Sequence, residues 1–178
     1  MKRIKTLIAI VAISLTQCLA QPSPVKNAAK SVFKLITYKA DGSLLAESNG
    51  VFVSEDGTAV SSLKPFLGAT RATITDAKGK QGEVSRILGV DEIYDMAKFK
   101  VDGLKPTPLQ PASTPAASGE EVWLVTYNEK GAQPVATTVK SVETFMDKYA
   151  YYIFTMQAPD GTNASPFVNK QGQVIGML

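Results

Sequence analysis

The chain has 178 residues, 44% of them hydrophobic, with 19 basic and 16 acidic side chains for a formal net charge of +3. It contains no histidine, which excludes His-ligated metal sites, histidine general bases and histidine pH sensing. Three basic residues (Lys2, Arg3, Lys5) and the only cysteine, Cys18, lie in the first twenty residues; without them 16 basic groups face 16 acidic ones, leaving no cationic surplus for nucleic acid and no disulfide.

Residues 1–20 read as a signal peptide. Lys2, Arg3 and Lys5 form a positive start, and Leu7 to Leu15 form a short apolar run. Cys18-Leu19-Ala20 then places small residues where cleavage would leave Gln21 as the new N-terminus. The run is shorter than the roughly 20 residues a permanent span requires, so an exported chain, periplasmic or secreted, is expected. In the alternative reading, cleavage before Cys18 makes a lipoprotein, although Gln17 is an awkward residue there.

Pro24 to Lys30 predicts one or two helical turns, with Ser23 as N-cap and Pro24 at the first helical position. From Val32 onward the signals are strands and tight turns. "SVFKLITY" alternates Val32, Lys34 and Ile36 against Phe33, Leu35 and Thr37, and "ADGS" (40–43) is a hairpin turn. "NGVFVSEDGTAVSS" is two short strands joined at Glu55-Asp56-Gly57, where Asp-Gly supplies positive backbone angles. "RATITDAKGKQGEVSRILGVD" repeats the plan around Ala77-Lys78-Gly79, and "MAKFKVDG" adds another strand. Residues 103–117 hold four prolines and few large apolar groups, the composition of a linker running over the surface. Beyond it come "EVWLVTY", "PVATTVKSVETF", "KYAYYIFTM" and a closing strand–turn–strand, "SPFVNKQGQVIGM". Trp123 and the aromatic group Tyr149, Tyr151, Tyr152 and Phe154 are expected in core and cross-strand packing.

Strands at roughly ten-residue spacing, with no long amphipathic helix, predict an all-β protein. The proline-rich joint at 104–117 divides it into a half at 21–103, of about six strands, and a half at 118–178, of five or six. Neither half repeats the other.

These segments resemble bacterial trypsin-like proteases of the HtrA/Deg type. "NGVFVSEDGTAVSS" with Lys64 is similar to the stretch leading to the family's catalytic histidine, and "DAKGKQGEVSRILGVDEIYDMAKFKVDG" to the stretch carrying the aspartate. "SGEEVWLVTYN" looks like the strand opening the second barrel. "DGTNASPFVNKQGQVIGM" resembles the Gly-Asn-Ser-Gly-Gly-Pro-Leu-Val-Asn nucleophile segment. The likeness runs in family order from Ser31 to Leu178. It implies two packed six-stranded-type β-barrels of the chymotrypsin fold. The family also continues with a further strand and a C-terminal helix, so the second barrel is expected to be incomplete here, through truncation or completion by another segment.

Carried over residue by residue, Lys64 takes the histidine position, Asp95 the aspartate position and Asn163 the serine position. Thr162, Ala164 and Ser165 replace the asparagine and glycines around the nucleophile, and Gly161 is retained. An amide is no nucleophile, and a lysine is ordinarily protonated at neutral pH, so it donates rather than accepts a proton. The family mechanism is therefore expected to be lost, leaving an inactive homologue that binds peptide or protein or acts as a scaffold. No cofactor is expected. Gly161, Thr162 and Asn163 could retain an anion notch, the remnant of an oxyanion hole.

Lys64 itself has three readings: a solvated surface lysine, an ion pair with Asp95, or a base for a nearby serine. Ser61, Ser62 and Ser165 are the local candidates for the last, although Ser165 should already enter the following strand. Pro65 is expected to hold Lys64 away from helical angles. The rival functions are a serine–lysine endopeptidase and a fragment of a longer peptidase.

Overall fold

The computed structural model describes residues 21–145 and 149–178, so the segment read as a signal peptide lies outside the described residues. The fold is nearly all β. No helix among the described residues is long and apolar enough to cross a membrane.

Six strands form the first half: β1 (Val32–Tyr38), β2 (Leu44–Phe52), β3 (Thr58–Ser62), β4 (Arg71–Thr75), β5 (Gln81–Asp91) and β6 (Met96–Asp102). They close into a barrel in the order β1-β2-β3-β6-β5-β4, sealed by antiparallel pairing of β1 with β4 from Lys34↔Thr75 to Tyr38↔Arg71. The alternation read in β1 sends Phe33 and Leu35 inward, where they join Phe52, Ile74 and Phe99 in a fully buried core. Phe33 is its centre, with ring centroids 4.7 Å from Phe52 and 6.2 Å from Phe99. It lies across Gly50, where a Cβ would overlap its ring and come within 2.8 Å of the Val60 carbonyl oxygen. The expected hairpin turn is present: Gly57 has φ +87°, and the Asp56 carboxylate accepts the Thr58 N–H at 2.9 Å.

The second half is a five-stranded sheet in the order β11-β10-β7-β8-β9, built from β7 (Glu121–Asn128), β8 (Gly131–Phe145), β9 (Tyr149–Phe154), β10 (Pro166–Val168) and β11 (Val174–Met177). It curls but does not close. β8 serves two partners in turn, β7 along its first part and β9 beyond an irregularity at Val139/Ser141. Such a bulge bends a strand and raises its twist, which coils the sheet.

Val122 to Thr126 are all buried because β7 is covered on both faces. One face carries Val122 and Leu124 against Val139 and Phe167; Phe154 stacks on Phe167 with centroids 3.7 Å apart, and Tyr152 packs beside them. The other face carries Trp123, Val125 and Val168 against Val32 and Val51, which come from the outside of the first barrel. Trp123 is thus core, as expected. Tyr151 instead remains 40% exposed, and the side chain of Tyr149 lies outside the described set.

Three local expectations change. The helix α1 (Ser23–Ala28) has Pro22 at its cap with no side-chain cap bond, so Ser23 sits inside the helix rather than capping it. Val25 and Ala28 of α1 pack with Trp123, Val125 and Val168, and Gln21 donates to the Pro134 carbonyl at 2.7 Å. The start of the chain therefore covers the second sheet, although it precedes the first barrel in sequence. The proline-rich stretch also runs deeper than a surface linker. Leu109 and Ala116 are buried in the two cores of the second half, and Leu109 N–H donates to the Phe52 carbonyl at 2.8 Å.

Candidate functional site

β3 ends at Ser62, and the chain turns at once into a 3-10 helix, Lys64–Phe66. Pro65 was expected to keep Lys64 out of helical geometry, but Lys64 opens this turn and its carbonyl accepts the Leu67 N–H at 3.1 Å. The reason is Asp95, which grips the segment from the other side. Its carbonyl accepts the Leu63 N–H at 3.0 Å, and its Oδ1 accepts the Lys64 N–H at 3.0 Å. Its Oδ2 accepts the Ser62 hydroxyl at 2.5 Å. Asp95 itself has φ +52°, a left-handed conformation that aspartate tolerates better than most residues.

The Lys64 ammonium lies 3.7 Å from Asp95 Oδ2. This meets the geometry of an ion pair, yet the lysine side chain is 80% exposed and the aspartate 33%. Two of the readings therefore merge, since the lysine pairs with the aspartate and remains solvated. An exposed pair of this kind contributes at most about 1 kcal/mol. The carboxylate is committed to Ser62 and to the Lys64 backbone, and the ammonium reaches it only as a third donor.

Asn163 sits on the loop between β9 and β10 and is exposed. Its backbone carbonyl accepts the Asn49 N–H at 2.9 Å and the Ser48 hydroxyl at 3.1 Å, which docks the loop onto β2. The loop's positive φ at a non-glycine residue falls on Ala164, at +57°. Thr162 is buried and donates its hydroxyl to the Pro159 carbonyl at 2.6 Å. Gly161 has φ +75° and presents its carbonyl to Asn49 Nδ2 at 2.9 Å. Ala164 N–H is taken by the Leu178 carbonyl and Ser165 N–H by the Thr162 carbonyl. Among the described residues, no backbone carbonyl accepts from the N–H groups of Gly161 or Asn163.

The residue that organises this region is Asn49, which sequence reading passed over. It is 1% exposed; besides its bonds to Gly161, its Oδ1 accepts the Tyr127 N–H of β7 at 3.1 Å. Its own carbonyl accepts the Ser61 hydroxyl at 2.5 Å. One residue on the first barrel thus ties together three elements, its side chain holding β7 and the Asn163 loop and its backbone carbonyl holding β3. Asparagine in a strand gives no such signal locally; only the burial of its amide reveals it.

The three candidate serines are placed as follows. Ser61 donates to Asn49 and Ser62 to Asp95. Ser165 is fully buried just before β10, and its hydroxyl has no hydrogen-bond partner among the described residues. No described hydrogen bond joins any of them to Lys64. No group of three or more potential metal ligands occurs among the described residues.

A closed six-stranded barrel packed against a second, curled antiparallel sheet, with the Asn163 loop laid on β2 between them, defines a protein of the two-barrel, trypsin-like class. The trypsin-like peptidase domain model matches residues 48–177, and the chain belongs to that family. Among solved structures it is similar to the HtrA-type protease AlgW, determined with a tripeptide, at TM-score 0.74 and 18% identity. The match covers 86% of this chain and 52% of AlgW, so the chain spans about half of that protein's length. It is also similar to an inactive form of Rv3671c from M. tuberculosis H37Rv carrying a serine-to-alanine mutation, at TM-score 0.72 and 22% identity, covering 90% and 80% of the two chains. At these identities the likeness is one of fold. No curated protein matches the chain.

Proposed function

We propose that this chain is an exported, catalytically inactive member of the trypsin-like peptidase family that binds an extended peptide or protein segment without cutting it. The observation that carries this reading is Lys64 in the histidine position, with its ammonium directed at Asp95 in a chain that has no histidine at all. Hydrolysis by the family mechanism needs a neutral base beside a hydroxyl. A solvated ammonium paired with a carboxylate is no base, and Asn163 offers no hydroxyl. In a subtilisin series, loss of either the serine or the histidine costs about a million-fold in turnover; here both are replaced. The binding half of the proposal draws on the N–H groups of Gly161 and Asn163, which have no backbone acceptor among the described residues and suit a peptide carbonyl or carboxylate, and on the structure of AlgW with a tripeptide.

A fluorophosphonate probe and a casein turnover assay test the reading on the mature chain. The expected result is no covalent labelling and no turnover above a buffer blank. Labelling or turnover that disappears in Ser165→Ala would instead establish a serine–lysine peptidase. Export is tested separately by the mass of the chain recovered outside the cytoplasm, expected to begin at Gln21.

A further inference from the structure

β5 is covered on one side only at its start. β4 pairs with Gln81–Glu83, whereas β6 pairs with β5 from Glu83 to Asp91. From Val84 to Val90, no strand among the described residues pairs with the β4-facing edge, because the chain opposite is the turn that leads from the 3-10 helix into β4. Ile87 lies opposite Phe99 and Val90 opposite Ala97, both buried in the barrel. Residues directly opposite in an antiparallel ladder share a face, so Ile87 and Val90 lie on the inward side of β5 where it runs on past its pairing with β4. They are 45% and 55% exposed, and Leu88 between them in the chain is 42% exposed. A notch of about 220 Å³ opens here, lined by the apolar Phe66, Ala72, Val84 and Ile87 and by the polar Thr70, Ser85 and Arg86. Phe66 lies with its ring 5.0 Å from Phe99.

We propose that this notch and the free edge of β5 form a docking surface for a short extended segment of another protein, apolar at alternate positions and carrying a carboxylate. An unpaired strand edge offers main-chain donors and acceptors that a second strand can complete, and the exposed Ile87 and Val90 beside the mixed apolar and polar notch meet its side chains. The carboxylate follows from the charges. Residues 84–90 contain Arg86 and no acid, Arg86 makes no ion pair among the described residues, and Arg71 is turned to Glu83 at 3.1 Å. Two copies of this edge laid antiparallel can set Arg86 opposite Asp91, so a second copy is the competing occupant that the test separates. The irregularities at Val84/Arg86 and Ile87/Gly89 limit the length of strand that can be added. This surface is built by β5 and the 66–72 segment, not by the Asn163 loop, and it stands whether or not the cleft is inactive.

Main-chain pairing is tolerant of sequence, so one generic strand suffices as a probe: acetyl-Glu-Val-Thr-Val-Thr-Val-amide labelled with fluorescein, followed by fluorescence anisotropy on the mature chain. Saturable binding is expected, weakened about tenfold or more by Ile87→Asp, equivalent to about 1.4 kcal/mol. Arg86→Glu should weaken it and remove the preference over the peptide beginning with Gln. Phe145→Asp, which alters an exposed apolar residue on the other half, should leave binding unchanged. Far-ultraviolet circular dichroism with urea unfolding verifies that each variant is folded. No saturable binding, equal binding by folded Ile87→Asp, or sedimentation showing a dimer that Ile87→Asp dissolves would each overturn the proposal.

Discussion

In the first barrel β1 pairs with both β2 and β4, so the sheet seals itself around Phe33, Phe52 and Phe99. In the second half the sheet order leaves β9 and β11 at its ends, and cover comes from elsewhere in the chain. Val25 and Ala28 of α1 and Leu109 of the proline-rich stretch pack onto one face, and Tyr152 accepts the Ala116 N–H at 3.2 Å on the other. The first half encodes its core in its own hairpins. The second borrows its core from segments on both sides of the first, so its stability depends on contacts remote in sequence.

That contrast can be broken most forcefully at Phe33. Phe33→Ala should cost about 3–5 kcal/mol, the usual loss for a buried aromatic, in urea unfolding followed by far-ultraviolet circular dichroism. The sole tryptophan, Trp123, lies outside the Phe33 core, between the second sheet and the outer face of the first barrel, and reports on that seam. A tryptophan transition that stays at the wild-type midpoint would show that the halves unfold independently; coincident transitions would show that the borrowed contacts couple them.

Asn49→Ala attacks the joint between the halves. It leaves the half-buried Tyr127 N–H and the more exposed Gly161 carbonyl without their partner. A loss of about 1–2 kcal/mol is expected, since an unsatisfied buried group costs roughly 1–3 kcal/mol and water can reach the carbonyl. A loss below about 0.5 kcal/mol would mean that water replaces the amide and the joint is not held there. Val25→Ala should cost about 2 kcal/mol, from two buried methyl groups plus the cavity they leave. It should also shift Trp123 emission, because both side chains share one core; an unchanged spectrum would show that α1 is not the cover of the second sheet.

The site itself should respond less. Asp95→Ala removes the acceptor of the Ser62 hydroxyl and the Lys64 N–H and is expected to cost about 1–2 kcal/mol. Lys64→Met should change stability by no more than about 0.5 kcal/mol, because the ammonium is solvated. Equal losses in the two variants would mean that the ion pair, not the backbone grip, is what Asp95 contributes. The smallest effect belongs to the first hairpin. The Lys100 ammonium, 2.9 Å from Asp56 Oδ2, and the Thr58 hydrogen bonds hold the Asp56 carboxyl well below the usual carboxylate range. Its folded pKa lies below its unfolded one, so this contribution is complete above about pH 4 and is lost as pH falls toward the depressed value. Lys100→Met should flatten the decline of the urea midpoint between about pH 5 and pH 2.

Local pattern alone decided a good deal. The period-two alternation of β1 and β6, the Asp-Gly turn at Asp56-Gly57 and the Gly79 turn are dictated by backbone sterics and a single buried face, and both turns have positive φ at the glycine. The expectation that the family chemistry is lost at Lys64 and Asn163 rests on residue type and is read without coordinates. Tertiary structure decided what periodicity does not carry. It placed α1 on the second sheet, sank Leu109 into a core, left Ile87 and Val90 beside a gap and made Asn49 the fastening of three elements. Those outcomes depend on which surfaces meet across a hundred residues of chain, and a buried amide or a missing neighbour strand leaves no trace in the residues on either side of it.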